Sequence, residues 1–359
     1  MLVLYLVIVI VVLIVINRKR TFLFKRHKFW DKQPVSRDGI EEGIISDIPH
    51  PLPVDHSLSI VKLNPKDKLV HRFLVGFLTD HYVKDCVYNT NYISWYLSNL
   101  KPNNALALTR DNHRIGTIFA KPYTIKINND ILPSHYVDFL SVHKDFRNKS
   151  YAPLLISHTA KESSDERYKT FIFKKEDKPL PFNYIAKCRY YVYEIPHKVN
   201  NMTSKYSLTR STSDDMEYLI DLYNRESPKY KCHPIFDRDE LRYIFTSKDE
   251  AYESLIIKKD GVRKGVITYI LNTGSSTSDE VAEIVLFLYE GMDYTGVMKS
   301  LIKHCHKNSI DLLMCVNNAK NYNFIDMMDF NPGMDVYFHM YNYHMNNTLE
   351  PEDILFNYM

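Results

Sequence analysis

The pattern of apolar and polar positions changes character within one short stretch, residues 137–153. Residues 137–142 predict a buried β-strand, the polar and cationic residues after them predict a turn, and the segment ending at Pro153 predicts the first turn of a helix. Backbone N–H groups at a helix N-terminus attract anions. Because Arg147 and Lys149 lie beside that N-terminus, the pattern indicates a site for a diphosphate.

A strand, a turn and a strand follow one another twice along the chain. Residues 106–118 and 255–267 carry Leu, Asp, Arg, Gly and Ile in register at a constant offset. The Asp-Asn dipeptide at 111–112 and the Asp-Gly dipeptide at 260–261 are typical of hairpin turns, so both copies predict β-hairpins.

Each predicted hairpin has similar neighbours. An amphipathic helix precedes each copy, over Lys68 to Leu78 and over Ser213 to Tyr223, with Ser213 expected as the N-cap. A strand followed by a helix comes after each copy, over Tyr136 to Ser157 and over Glu283 to Cys305. The sequence therefore predicts two degenerate copies of one α/β unit, joined near residues 197–207.

The N-terminus carries an unbroken apolar run from Leu2 to Ile16, closed by Asn17-Arg18-Lys19-Arg20. The run is a little short of the roughly 20 residues that span a bilayer. A cleaved signal peptide fits poorly because a basic start and a small-residue cleavage site are missing. A buried core element is the other alternative. The pattern favours a single-pass membrane anchor, and the cations that follow it predict that the rest of the chain lies in the cytosol.

The composition of the chain excludes several classes of protein. The chain has 359 residues, 45% of them hydrophobic and 25% charged, as in a folded protein large enough for two domains. A net charge of +3 argues against a nucleic-acid partner. The five cysteines show no paired spacing, which fits a reducing compartment and predicts no metal site. Cys305, between His304 and His306, falls on an apolar helix position and is expected in the core.

Several short blocks resemble known families. Arg147, Ser150 and Ala152 form an Arg-x-x-Ser-x-Ala turn that resembles the pyrophosphate loop of acyl-CoA-dependent N-acyltransferases. Asp138 to Lys144 resembles the narrower signature of N-myristoyltransferases. Further blocks in matching order are Lys28-Phe29-Trp30-Asp31-Lys32-Gln33-Pro34-Val35, Pro51-Leu52-Pro53 with His81-Tyr82-Val83-Lys84-Asp85, Lys187-Cys188-Arg189-Tyr190-Tyr191, and Met340-Tyr341-Asn342-Tyr343.

The resemblance implies an α/β (α+β) fold of tandem acetyltransferase-like (GNAT) units with a mixed central sheet, to which the chain would add its N-terminal transmembrane helix. The expected domains are residues 1–20 as the anchor with its basic flank, 21–197 as the acyl-CoA-binding half, and 205–359 as the half that contributes the peptide groove. A monomer is expected.

The implied activity is the transfer of a myristoyl group from myristoyl-CoA to the N-terminal glycine of a protein or peptide. Acyl-CoA would be a co-substrate, with no cofactor besides. No serine or cysteine nucleophile with a histidine partner is evident, which favours direct attack of the amine on the thioester. Two alternatives stay open: an inactive binder of acyl-CoA or of a lipidated peptide, and a superfamily acyltransferase with another acyl chain or another acceptor such as lysine.

The resemblance also assigns residues. An oxyanion hole would come from the backbone N–H groups of Phe139 and Leu140, whose side chains could equally be core, and the base would be the C-terminal carboxylate of Met359; Asp138 is the alternative base. Acyl-CoA would contact Lys28, Phe29, Trp30, Phe139, Leu140, Ser141, Val142, Arg147, Asn148, Lys149, Ser150, Tyr151 and Ala152. The peptide would contact Tyr82, Asp85, Tyr190 and Asp335.

The chain departs from the family pattern at several positions. Asp138 stands where the family has Asn, which places an extra carboxylate beside the thioester. Ser150 replaces a cation of the phosphate loop, and Val192 replaces a His that faces the peptide. The family's Gly-rich peptide loop is reduced to Phe330-Asn331-Pro332-Gly333-Met334-Asp335. The acyl-CoA half is therefore the better preserved half, and the peptide preference is open.

Overall fold

A computed structural model describes residues 27–82, 88–98, 104–199, 201–248, 251–273 and 280–355. Its α-helices are α1 (Lys68–His81), α2 (Thr90–Leu97), α3 (Tyr151–Asp165), α4 (Met216–Glu226), α5 (Arg238–Phe245), α6 (Tyr294–Lys307) and α7 (Tyr322–Ile325). Its strands are β1 (Gly43–Ile44), β2 (Leu58–Lys62), β3 (Asn104–Arg110), β4 (His113–Pro122), β5 (Ile125–Ile127), β6 (Asp130–Leu132), β7 (Ser134–Val142), β8 (Thr170–Glu176), β9 (Ala186–Glu194), β10 (Tyr206–Arg210), β11 (Cys232–Pro234), β12 (Tyr252–Lys259), β13 (Val262–Thr273), β14 (Glu280–Tyr289), β15 (Leu312–Val316), β16 (Asn331–Tyr341) and β17 (Tyr343–His344).

The fold is organised around one twelve-stranded sheet in the order β10-β12-β13-β14-β15-β9-β16-β8-β7-β4-β3-β2. The pairs β14–β15 and β7–β8 are parallel and the other neighbours are antiparallel, so the sheet is mixed as expected. β16, from the end of the chain, lies between β8 and β9 and is hydrogen-bonded to both. The two halves therefore interlock, because a strand of the second half completes the sheet of the first.

Both predicted hairpins are confirmed. β3 and β4 pair across Asp111 and Asn112, whose φ angles are 49° and 62°. β12 and β13 pair across Asp260 and Gly261, at 51° and 79°. Two central residues with positive φ match the twist of the flanking strands, and Asn, Asp and Gly adopt that conformation most readily.

The predicted start of the helix near residue 213 is wrong by one residue. A capping box closes this end: the backbone N–H and the hydroxyl of Thr212 donate to Asp215 Oδ2 at 3.0 and 2.9 Å. A 3₁₀ turn over Ser213–Asp215 then runs into α4. Thr212 is thus the cap, because its partner three residues later is an acidic side chain that can return the hydrogen bond.

The predicted membrane localisation is corrected. No helix in the described part of the chain is long and apolar enough to cross a bilayer. The longest of them, α3, has 15 residues, about 22 Å of helix against a hydrocarbon core of about 30 Å. The apolar run Leu2 to Ile16 lies outside the described residues.

Cys305 lies where the helical pattern predicts it, fully buried in the core of the second half with Met298, Leu301 and Ile302. The four described cysteines (Cys188, Cys232, Cys305 and Cys315) are all free and buried. Burial raises the pKa of the Cys188 thiol to about 12, so it stays protonated at neutral pH.

Candidate active site

The centre of the site is a bulge in β7. The register of β7 against β4 shifts so that Phe139 and Leu140 together oppose Ile118. Phe139 has a φ of 51°, which is unusual for a bulky residue in a strand. The hydroxyl of Thr117 donates to the Phe139 carbonyl at 3.0 Å and fixes the distorted backbone.

The Phe139 ring supports the bulge from the core side. It makes edge contacts with Phe119, Tyr96, Tyr82 and Tyr88, at centroid distances from 5.1 to 6.2 Å. The side chain is 2% exposed. The Phe139 side chain is therefore part of the core, and this packing does not involve its backbone N–H, to which the resemblance assigns a role in an oxyanion hole.

A cavity of about 420 Å³ adjoins the bulge. Its polar lining comes from Tyr82, Asp138, Lys174 and Glu176. Its apolar walls include Trp30, Ile156, Ala160, Phe171, Phe173 and Leu180. Trp30 is held against Phe29 and Phe182 at ring-centroid distances of 4.8 and 5.0 Å. An apolar chamber with a few convergent polar groups is typical of a site for an extended apolar ligand with a reactive end.

Asp138 contributes a carboxylate to that polar lining. Its Oδ1 accepts a hydrogen bond from the Tyr82 hydroxyl at 3.1 Å and one from the Phe139 backbone N–H at 2.7 Å. Burial raises the pKa of Asp138, although nearby Lys174 and both hydrogen bonds oppose the rise. In this structure the N–H of Phe139 is therefore occupied by the side chain of its own neighbour.

Lys174 and Glu176 of the cavity lining belong to a group of charged and polar residues that continues behind the wall to Tyr190 and Glu283. Lys174 Nζ is 3.0 Å from Glu176 Oε1 and 2.5 Å from the Tyr190 hydroxyl. Tyr190 donates in turn to Glu283 Oε1 at 3.3 Å. Burial raises the pKa of Glu283, whereas Lys174 outweighs burial at Glu176 and lowers the pKa of that group.

The sequence analysis missed Lys174, Glu176 and Glu283. For Glu283 the available signal was a charged side chain beside the apolar run of β14, which is rare unless the charge is paired or functional. Lys174 and Glu176 lie in the charged end of β8, Lys174-Lys175-Glu176, which gives no such signal.

The predicted phosphate turn is present at the start of α3. Asn148 and Ser150 have φ angles of 63° and 61°, and the Ser150 side chain does not cap the helix, so its first N–H groups are not blocked by that hydroxyl. Arg147 Nε donates to the Val142 carbonyl at 3.2 Å, and its Nη2 donates to the carbonyl of His81. Lys149 is exposed, with Nζ 5.0 Å from the centroid of the Phe146 ring.

The other residues assigned to acyl-CoA lie on β7 and α3, which flank this turn, or at residues 28–30 near the start of the described chain. Tyr151 and Ala152 are the first two residues of α3, and Ser141 and Val142 are the last two residues of β7. The Ser141 hydroxyl donates to the His81 carbonyl at 3.0 Å. Lys28 is exposed beside the buried Phe29. The turn over residues 147–150, here called the cation turn, follows β7 and leads into α3, and Leu140 and Ala160 of this β7–α3 unit line part of the cavity.

The corresponding turn of the second half is chemically different. At the start of α6, Asp293 Oδ1 accepts from the Gly296 N–H at 2.9 Å and Oδ2 pairs with Lys205 at 3.3 Å. A carboxylate already occupies this helix N-terminus, and it would repel a diphosphate. The two turns therefore differ at the helix N-terminus, which a carboxylate occupies in the second half and which the Ser150 hydroxyl does not cap in the first.

The residues predicted to contact a peptide are only partly brought together. Tyr82 lines the cavity, and Tyr190 lies in the charged group behind it. Asp335 pairs with Lys187 and Arg189, each at 2.7 Å, and their hydrogen bonds lower its pKa. Asp85 and Met359 lie outside the described residues.

Comparisons with known proteins agree with this geometry. The family profile described as "Myristoyl-CoA:protein N-myristoyltransferase, N-terminal domain" matches residues 39–175. The glycylpeptide N-tetradecanoyltransferase of Plasmodium falciparum is 21% identical over 373 aligned residues, which cover 88% of this chain and 90% of that protein. The enzyme of the same name from Candida albicans is 24% identical and covers 89% of this chain and 85% of its own length.

The fold is shared with solved structures. The crystal structure of Saccharomyces cerevisiae N-myristoyltransferase with bound myristoyl-CoA superposes with a TM-score of 0.79 at 18% identity, covering 91% of this chain and 94% of that one. A tandem GNAT protein from the clavulanic acid biosynthesis pathway superposes with a TM-score of 0.56 at 12% identity, covering 79% of this chain and 98% of that one. The likeness to both places the fold among tandem acetyltransferase-like architectures.

Proposed function

Since the chain is a divergent member of the N-myristoyltransferase family, we propose that it transfers a myristoyl group from myristoyl-CoA to the N-terminal glycine of peptides or proteins. The observation that carries the proposal is that the apolar cavity is lined both by Leu140 of the β7 bulge and by Ile156 and Ala160 of α3, the helix that begins at the cation turn. An acyl chain, a thioester and a diphosphate need these three environments in that order.

The residues take the following roles. Exposed Lys149 and the first N–H groups of α3 hold the diphosphate, while Arg147 braces the turn through its bonds to backbone carbonyls. Trp30 and the walls of the cavity enclose the acyl chain. The backbone N–H groups of Phe139 and Leu140 stabilise the negative oxygen that develops on the thioester.

The acceptor amine approaches from the polar lining. An α-ammonium group must lose a proton before its nitrogen can attack, so a base is required. The resemblance to the family implies the Met359 carboxylate, and Asp138 is the alternative. Tyr82 and Tyr190 are proposed peptide contacts because each is linked to charged groups on or behind the cavity wall. Asp335 is proposed as a peptide contact from the family resemblance alone.

The direct test is the mass of a Gly-initiated peptide after incubation with the purified chain and myristoyl-CoA. One added myristoyl group is expected, and an otherwise identical peptide with an acetylated N-terminus should gain nothing. A myristoyl group on a lysine of that blocked peptide would indicate another acceptor. Binding of myristoyl-CoA without a mass gain across a varied peptide library would replace the proposal with an acyl-CoA-binding function.

A further inference from the structure

We propose that Lys121 binds an acidic side chain of the acceptor peptide, and so selects peptides that carry Asp or Glu shortly after the N-terminal glycine. The inference rests on the proposed function and deepens it, because it names the chemical class of the peptide. Lys121 lies near the end of β4 and is not among the residues to which the family resemblance assigns a role.

The pairing of β4 with β7 places Lys121 beside the polar wall of the cavity. Lys121 lies opposite Tyr136. Two positions earlier in β4, Phe119 lies opposite Asp138. Residues that are opposite each other, and residues two apart in one strand, share a face of the sheet. Since Tyr136 and Asp138 both line the cavity, Lys121 lies on the face of that lining, about 7 Å along the strand from the position of Asp138.

Lys121 is a buried cation without an anion. The residue is 7% exposed, and its Nζ lies 4.7 Å from the centroid of the Tyr96 ring. Among the described residues, its ammonium group forms no hydrogen bond and no ion pair. The Tyr96 hydroxyl is also buried without a hydrogen-bond partner in the described ranges. Within this part of the chain, two neighbouring donors therefore lack an acceptor, which costs folding free energy unless a ligand supplies one.

The two carboxylates that act on Lys121 have other partners. Glu240 Oε2 accepts from the Asp237 N–H at 2.8 Å, in the capping box that starts α5. Asp138 Oδ1 already accepts two hydrogen bonds. The charges of Glu240 and Asp138 favour the ammonium form, but burial outweighs them and lowers the pKa of Lys121 from 10.5 to about 7. An ionised carboxylate of a ligand would stabilise the ammonium form and raise that pKa again.

The same geometry points to a residue close to the glycine. The glycine nitrogen must reach a thioester at the β7 bulge, which Asp138 immediately precedes. An extended peptide advances about 3.4 Å per residue, so the spacing of about 7 Å corresponds to about two residues. A backbone carbonyl could accept a hydrogen bond from Lys121, but only an acidic side chain also neutralises its charge. We therefore expect the acidic residue at about positions 2 to 4 of the peptide.

The test compares Gly-initiated peptides that carry Glu at one position between 2 and 5 with otherwise identical peptides that carry Gln. The unmodified full-length chain should prefer Glu at one of these positions by about tenfold or more in kcat/KM, because hydrogen bonds between charged groups are stronger than neutral ones. The preference should lie in KM, since Lys121 contacts the peptide and not the thioester. Equal kcat/KM values for Glu and Gln at every position overturn the inference.

Variants of Lys121 connect that preference to the side chain. Lys121→Met keeps an unbranched side chain without the charge and should bring the Glu to Gln ratio of kcat/KM to about one, whereas Lys121→Arg should retain part of the preference. Lys126→Met is the matched control, because it removes the same charge from a half-buried position on β5. This control should keep the ratio of the unmodified chain. A Lys121→Met protein that still prefers Glu overturns the inference.

Urea unfolding separates this role from a structural one. Since the buried ammonium has no acceptor among the described residues, Lys121→Met should unfold at a higher urea concentration than the unmodified chain. Unfolding at a lower concentration would show that Lys121 supports the fold, and it contradicts the inference. Absence of transfer to every peptide overturns the proposed function instead, and the Glu to Gln ratio of the peptide Kd values then tests Lys121 by itself.

Discussion

Arg189 holds the carboxylate of Asp335 through two nitrogens, with Nε 2.8 Å and Nη2 2.7 Å from Oδ1. Lys187 Nζ contacts the other oxygen at 2.7 Å. The family resemblance assigns Asp335 to the peptide, yet here two cations of the protein already neutralise it. A basic side chain of a peptide would have to compete with both.

This relationship predicts a change in peptide preference. In the double variant Lys187→Met and Arg189→Met, kcat/KM should rise about fivefold for a peptide with a downstream Lys, relative to the same peptide with Gln. The estimate takes about 1 kcal/mol for one exposed ion pair. Adding Asp335→Asn to the double variant should cancel the gain. An equal gain for both peptides would show that Asp335 does not face the peptide.

The width of the cavity predicts acyl-chain selectivity. Ala160 on α3 lines the chamber and is 3% exposed. In Ala160→Phe the ring should fill space that the chain end needs. If the ring excludes two methylenes of the myristoyl chain, at about 0.8 kcal/mol each, the ratio of kcat/KM for myristoyl-CoA to kcat/KM for decanoyl-CoA should fall about 15-fold. Ala160→Ser, which keeps the size, should leave the ratio of the two kcat/KM values unchanged. A constant ratio in Ala160→Phe would place the acyl chain elsewhere.

The cation turn predicts which part of acyl-CoA Lys149 contacts. Lys149→Met keeps the aliphatic stem and removes the charge, so the Kd for myristoyl-CoA should rise about fivefold at low salt and less at high salt. S-myristoyl-pantetheine lacks the diphosphate and should bind both proteins equally. Lys161→Met, further along α3 and paired with Asp165 at 2.6 Å, is the matched control and should change neither Kd. Weaker binding of both ligands would contradict the assignment.

A buried histidine predicts how stability depends on pH. His135 on β7 stacks on Tyr168 at 4.1 Å, and neither ring nitrogen has a hydrogen-bond partner among the described residues. Burial lowers its pKa from 6.5 to about 3. The unfolded chain therefore binds a proton that the folded chain refuses. The contribution of neutral His135 to the free energy of unfolding is complete above pH 6.5 and is lost progressively as the pH falls towards 3.

The size of that loss can be measured by urea unfolding at pH 6.5 and pH 5. Each pH unit costs about 1.4 kcal/mol, so about 2 kcal/mol of the free energy of unfolding should disappear over this interval. His135→Phe should remove this part of the pH dependence. His56→Gln, at an exposed position, should retain it. An identical slope in His135→Phe would show that other groups control the loss.

Local features of this fold could be predicted, because their causes are local. Asp111-Asn112 and Asp260-Gly261 fix their hairpins through backbone conformations that those residue types favour. The β7–turn–α3 unit was predictable for the same reason. Ser213 failed as a cap because Thr212 has an acidic partner three residues later, Asp215, whereas the residue three positions after Ser213 is Met216. This spacing distinguishes the two hydroxyls in the sequence itself.

The polar wall of the site depends on contacts far apart in the chain. Lys174 meets Tyr190 across 16 positions, and Tyr190 meets Glu283 across 93. No periodicity joins such positions, so they became visible only when β8, β9 and β14 were placed in one sheet. The ion pairs of Asp335 are of the same kind, since Lys187 and Arg189 reach it through strand pairing.

The exchange of β16 into the first half has a consequence for the history of the chain. After a duplication, two complete copies can normally diverge until one is lost. Here the first half lacks a strand between β8 and β9 unless the end of the chain provides it. A carboxylate occupies the helix N-terminus of the second half at α6, yet this half cannot be deleted without opening the sheet beside β8, which pairs with the bulged strand β7. We therefore expect the two halves to unfold in one cooperative transition, and neither copy to be dispensable in evolution.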